Sequence, residues 1–283
     1  MNAIEKFIHI LQLEATEPLP YGPYHIFCLL AIVALSVWLC VCFRDADEKI
    51  VNRIMLIVWI IMVTGEVYKQ IVYSMDVNAD VAEWSYQWYA FPYQFCSTPI
   101  YVLPFAIFFK GKVRDFAVAY MMSFSLFAGL AVMVYPVDIF IGMIGINLQT
   151  ALHHGLQVVL GIYLAVHKRR ELSLRHYARA IPVFAITASV ALILNLVVYH
   201  SFVAIGGEIP TFNMFFISPY YECTLPLVGL IYDVAPYPVF LLVYLIGFSI
   251  AGLAIYYAVF GIYKLVLRAM QAKNNKNEEK QDI

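Results

Sequence analysis

Seven apolar stretches alternate with short polar connections along the chain. They fall at about 24–43, 51–73, 85–109, 114–135, 140–167, 178–203 and 236–263. Each reaches the length of a membrane-crossing helix, which needs roughly 20 apolar residues. Ahead of them, Ile4, Phe7, Ile8 and Leu11 share one helical face, so 1–20 reads as an amphipathic helix on the outer membrane surface. That apolar run is short and is followed by Glu14 and Glu17, unlike a signal peptide. The expected architecture is all-α: a seven-helix membrane domain over 21–268, with 269–283 as a polar, disordered cytoplasmic tail.

Charge orders these segments. All lysines and arginines except Lys6 and Lys69 follow the first, third, fifth or seventh stretch. Arg44, Lys110, Lys168 and Lys264 head the four clusters, and the connections 74–84, 136–139 and 204–235 carry no basic residue. The positive-inside rule then places the N-terminus outside and the C-terminus in the cytoplasm. The connection 204–235 is rich in aromatic residues and prolines, and reads as a segment dipping into the outer leaflet or capping the bundle. Composition agrees with a multi-pass membrane protein: 63% hydrophobic and 13% charged residues, with mean hydropathy +0.77. No nucleic-acid partner is expected. Cys28, Cys40 and Cys42 share one span, Cys96 lies in another and Cys223 in a connection, so the five cysteines do not form a disulfide framework.

Polar residues inside the spans are costly unless paired or functional. Cys96 lies 14 residues before Lys110, His154 14 before Lys168, Glu66 13 after Arg53 and Asn195 16 after Arg179. At 1.5 Å per helical residue, all four fall roughly 20–24 Å from a cytoplasmic anchor. Any one of them alone reads as a packing or hydrogen-bonding residue; four at one depth read as a shared interior site. Helical phase puts Asn147, Thr150, His154 and Gln157 on one face of the fifth span, with His153 about 100° away. His154 is therefore the expected chemical histidine and His153 a supporting one. Glu66 and Lys69, at i and i+3, are placed to pair. Around Cys96, Gln94, Ser97 and Thr98 lie among Pro92, Pro99 and Pro104, a broken and polar stretch for a bilayer centre. No metal is expected, because the adjacent histidines point to different faces and no acid stands at ligand spacing; no cofactor is expected either.

At these residues the chain resembles a known family. Pro92-Tyr93-Gln94-Phe95-Cys96-Ser97 and His153-His154-Gly155 are similar to two signatures of the YwaF-like bacterial integral membrane proteins. Asn213-Met214-Phe215-Phe216, followed by Pro219 and the stretch Ala235-Pro236-Tyr237-Pro238, resembles the third. That family is similar to an animal transmembrane acyltransferase that remodels ether phospholipids. The resemblance implies a bacterial plasma-membrane protein with Cys96 as acyl-accepting nucleophile and His154 as its base. Gln94, His153, Glu66, Asn147, Asn195 and Asn213 would support the site or bind substrate.

The expected activity is transfer of an acyl chain between phospholipid or lysophospholipid substrates through a cysteine thioester, with Gln94, Asn195 or a backbone N–H as oxyanion donor. The alternative is a proton-coupled transporter or channel using Glu66 and His154 as a relay. The lack of an evident internal repeat weighs against it. Haem held by His25 and His200 at an outer level is a further alternative.

Overall fold

The computed structural model describes residues 3–78, 81–136 and 139–281, with side chains past Arg268 left undescribed. Helices account for nearly all of its regular structure; a two-stranded hairpin, β1 (Met75–Asn78) and β2 (Val81–Trp84), is the exception among the described residues. The N-terminal segment forms the short α1 (Ala3–Leu11) and then extends, so that Glu14 bridges Met143. Gln12 and Tyr68 tie this strap down: Gln12 donates to the Val72 and Met75 carbonyls, and Tyr68 to that of Leu11.

The apolar stretches become helices whose ends follow local chemistry. α2 (Pro23–Phe43) opens on a proline, whose missing N–H costs nothing at that position. α3 (Glu48–Val72) is capped by Asp47, which accepts from the Ile50 N–H at 2.9 Å. α5 (Lys112–Tyr120) and α6 (Leu126–Val134) are joined by a π-helical turn at Met121–Ser125. α7 (Ile144–His167) follows, then α8 (Leu174–Tyr177), α9 (Ala180–Ile205), α10 (Val228–Tyr232) and α11 (Tyr237–Gln281). Five helices are long and apolar enough to cross a membrane: Pro23–Phe43, Glu48–Val72, Lys112–Val134, Leu174–Ile205 and Tyr237–Val266.

Two expectations require correction here. The stretch 85–109 is not one helix. It runs as a 3₁₀ turn at Trp88–Ala90, irregular chain, a second 3₁₀ turn at Phe95–Ser97, and only then α4 (Pro99–Phe108). Pro92 and Pro99 supply no N–H, and Pro92 holds Phe91 in an extended conformation (φ -49°, ψ 136°), so the first half of this segment does not wind into one helix. In addition, α11 continues to Gln281, so the backbone of the tail expected to be disordered is helical as far as that residue.

α7 is the axis of the bundle, packed by α2, α3 and α6. Its approach to the span made of α5 and α6 depends on two glycines. A Cβ on Gly129 would sit 2.7 Å from the His154 carbonyl oxygen, and one on Gly161 2.7 Å from Leu126 Cβ. These distances fall below van der Waals contact, so the two helices meet backbone to backbone as small residues allow. At one end of the bundle the basic connections share partners. Arg169 pairs with Asp45, Arg114 and Lys168 with Glu48, and Arg179 with Asp115. Hydrogen bonding to Arg169 holds the Asp45 carboxyl below its ordinary value of 3.8.

The connection 204–235 does more than cap. Phe212, Met214, Phe215, Ile217 and Ser218 are buried in the core. Phe215 and Phe216 take φ of 60° and 57°, a left-handed conformation that costs an aromatic residue on the order of 1–3 kcal/mol. Polar side chains described below hold them there.

Candidate functional site

Cys96 occupies the middle of the 3₁₀ turn that leads into α4. Because the chain before it is not helical, its carbonyl is held by side chains from another element. From α7, His153 donates Nε2–H to the Cys96 carbonyl at 3.0 Å, and Gln157 donates Nε2–H to the same oxygen at 2.9 Å. The two donors lie four residues apart on one helical face. The Cys96 thiol touches the Ser97 hydroxyl, and the Cys96 N–H lies against its own thiol rather than on another backbone carbonyl.

The backbone fixes both imidazole tautomers. A carbonyl only accepts, so His153 carries its proton on Nε2 and presents a lone pair at Nδ1, which is buried with no partner. His154 does the reverse. Its Nδ1–H donates to the Thr150 carbonyl at 2.8 Å, leaving the lone pair on Nε2. The two rings meet edge to face with centroids 5.3 Å apart. His153 is buried, whereas His154 and Cys96 both retain accessible surface.

Glu66 and Lys69 of α3 form the expected i,i+3 pair, 2.8 Å apart. Gln70 braces the same carboxylate oxygen, Oε1, at 2.8 Å, donates also to the Ala90 carbonyl, and accepts from the Tyr86 hydroxyl. The other carboxylate oxygen, Oε2, is buried without a partner. Both charges lie within electrostatic reach of the Cys96 thiol and of His154, and Lys69 reaches His153 as well.

Three expected site residues converge on the strained 213–218 segment instead. Gln94 donates to the Asn213 carbonyl and accepts from the Phe215 N–H, at 3.1 and 2.9 Å. Asn195 both donates to and accepts from the Met214 backbone. Asn213 accepts from the Ser218 N–H and donates to the Glu222 carbonyl. Gln94 and Asn195 therefore each spend the amide oxygen and one N–H on this backbone. Asn147 spends both its amide atoms on the backbone of Ile141, closing the turn before α7.

Sequence reasoning named Gln157 only as part of a stripe with His154. Its spacing of four from His153 was the signal for its bond to Cys96. Gln70 lay in the same stripe as Glu66 and Lys69, but nothing in the sequence marked its reach to Ala90. His25 uses both ring nitrogens, accepting from the Tyr21 N–H and donating to the Met133 carbonyl, so neither is available to ligate haem.

The family model described as the TMEM164 family matches residues 20–261. No curated protein and no solved structure matches the chain significantly.

Proposed function

The chain belongs to the TMEM164 family of transmembrane proteins, and from its site geometry we propose that it is a membrane-embedded lipid acyltransferase with Cys96 as nucleophile. The observation that carries this reading is the hydrogen bond from His153 to the carbonyl of Cys96, at the first turn of a broken helix, with His154 next to it on α7 and both tautomers fixed by backbone carbonyls. A thiol becomes a nucleophile when a neighbouring base takes its proton. His154 is that base: Thr150 orients its ring through Nδ1, the lone pair stands on Nε2, and the residue keeps accessible surface. His153 and Gln157 position the cysteine by gripping its carbonyl.

In the first half-reaction the Cys96 S–H proton passes to His154 Nε2. The sulfur bonds to the ester carbonyl carbon of a phospholipid, the ester C–O bond breaks, and the departing alkoxide takes the proton back from His154. In the second half, His154 takes the proton of an acceptor hydroxyl. The new C–O bond forms, the C–S bond breaks, and the thiolate is reprotonated. The Cys96 N–H, at the start of its turn, is the nearest backbone donor for the oxyanion. Scarcity of water in the bundle favours transfer over hydrolysis.

The resemblance of Pro92–Ser97 and His153–Gly155 to YwaF-like proteins supports the same reading, with a bacterial plasma membrane as the setting. Seven spans follow if α7 and the short helix Phe95–Phe108 cross beside the five longer helices. The shared end of the ion pairs is then cytoplasmic, with the N-terminus outside. The amphipathic α1 then lies on the outer surface.

Intact-mass analysis of protein purified from membranes tests the chemistry. The expected result is an acyl-sized adduct that hydroxylamine removes and that Cys96→Ser abolishes. An unmodified wild type that drives proton-dependent flux, with flux surviving Cys96→Ser, would instead establish the relay through Glu66 and His154.

A further inference from the structure

α11 packs chiefly on α10, the π-helical turn, α7 and α6. Between it and the α8–α9 segment a groove of about 440 Å³ stays open. Ser173 meets Tyr256, Tyr177 meets Ser249 and Phe184 stacks on Phe248, so the two walls run antiparallel. Leu174, Ala178, Ile181 and Ala185 line one wall, and Leu245 and Leu253 mark the ends of the other. The buried Tyr177 and Phe184 form the floor. The Tyr177 hydroxyl donates to the Ser249 carbonyl, and the Ser249 hydroxyl to that of Leu245, so the groove offers almost only hydrocarbon. Both walls belong to helices long and apolar enough to cross a membrane. At 1.5 Å per helical residue, Leu174 to Ala185 covers roughly 16 Å. That is about half of the ~30 Å hydrocarbon layer, the depth of one leaflet.

We propose that this groove holds one acyl chain of an anionic phospholipid, with the lipid phosphate on Arg175. Charge names the head. Arg175 lies between Leu174 and Ala178, at the end of the groove where the ion pairs gather, and both it and Arg170 are exposed. The neighbouring cations are matched: Lys168 by Glu48 and Glu171, Arg169 by Asp45 and Arg179 by Asp115. Arg170 and Arg175 enter no ion pair among the described residues. A guanidinium without an acid, beside an apolar slot one leaflet deep, matches a phosphate attached to a hydrocarbon chain. A zwitterionic lipid would also bring an ammonium of like sign to the two arginines, which selects a head with net negative charge. This binding does not rest on the acyl-transfer reading.

Native mass spectrometry of the detergent-purified full chain tests the site. The probes are palmitoyl-oleoyl phosphatidylglycerol and the phosphatidylcholine with the same chains. The wild type should retain the anionic lipid about fivefold more tightly, the factor that one arginine at a membrane surface supplies. Arg175→Gln should remove that preference while both lipids still bind. Ala185→Trp fills the groove from an exposed position and should weaken retention of both lipids. Val197→Trp, an equally bulky change on the exposed face of α9 beyond the groove, should leave retention as in the wild type. Equal retention of the two lipids by the wild type overturns the proposal without any variant. A preference that survives Arg175→Gln, or equal retention by the two tryptophan variants, overturns it as well, because the lipid is then bound elsewhere on the surface.

Discussion

His153 donates its Nε2–H to the carbonyl oxygen of Cys96 across 3.0 Å, joining the centre of α7 to the first turn before α4. Its neighbour His154 bonds back onto its own helix at Thr150. The two histidines therefore fail differently. His154→Ala should abolish the acyl adduct with thermal stability changed little, because its bond is local. His153→Ala leaves a buried carbonyl with one donor fewer and should cost about 1–3 kcal/mol of stability, with adduct formation slowed rather than lost. Thermal unfolding and adduct mass measured on both variants check this. Loss of the adduct in His153→Ala alone would reverse the two roles.

Gln94 and Asn195 grip one short segment from opposite sides. Each contributes two bonds to the backbone of residues 213–215, where Phe215 and Phe216 hold their left-handed conformation. Gln94→Ala or Asn195→Ala should each destabilise the protein by about 1–3 kcal/mol. Once one clamp is lost the segment relaxes, so the double variant should cost less than the two together. Additive losses in chemical unfolding would show that the clamps are independent.

Gly129 lies against the backbone of His154 and the Cβ of Gln157. Gly129→Ala inserts a methyl where no space exists and pushes α7 away from α6. Overpacking of this kind costs roughly 1–3 kcal/mol. Adduct formation should fall by more than the stability loss explains, because the displaced stretch carries His154, the proposed base. An unchanged rate of adduct formation in folded Gly129→Ala protein would mean that the position of α7 is not critical.

Asp45 gives the end of the bundle that carries the ion pairs an acid-sensitive contact. Its folded value lies below 3.8 because Arg169 bonds the charged form. A lowered carboxyl stabilises the fold fully above the unfolded value, and the contribution fades as pH falls through the folded one. Thermal unfolding followed down to and below pH 3.8 should show a steeper acid decline for the wild type than for Asp45→Asn. Parallel curves would remove Asp45 from the balance.

Much of this was legible in the sequence. Apolar length gave the long helices, since each apolar stretch needs only its own residues to form a helix. Depth counting brought Cys96, the two histidines and Glu66 toward one another, because helical rise is nearly constant. It failed where rise is not constant. Asn195 lies at the counted depth but serves the 213–218 segment, which no helical count could place. Phase put His154 on the more polar face and made it the expected chemical histidine, with His153 in support. Residues three and four apart are both neighbours on a helix, so Gln157 fits the face of either histidine, and the fold selected the 153/157 pair. The hairpin at 75–84 was missed because its strands are only four residues each, too short for a periodic signal.

The short helix Phe95–Phe108 and the polar α7 differ from the other long segments in one more respect: neither is among the five helices long and apolar enough to cross a membrane. Fourteen residues of helix span about 21 Å, short of the roughly 30 Å hydrocarbon layer. α7 carries three histidines, two glutamines and an asparagine along its length. Partitioning from a ribosome-bound channel into lipid, segment by segment, is unfavourable for both. They must wait for α2, α3 and the α5–α6 span to provide a surface to enter against. On the acyl-transfer proposal, Cys96 and His154 take their places late in biogenesis, and a half-made chain in the bilayer carries no assembled site with which to attack the lipids around it.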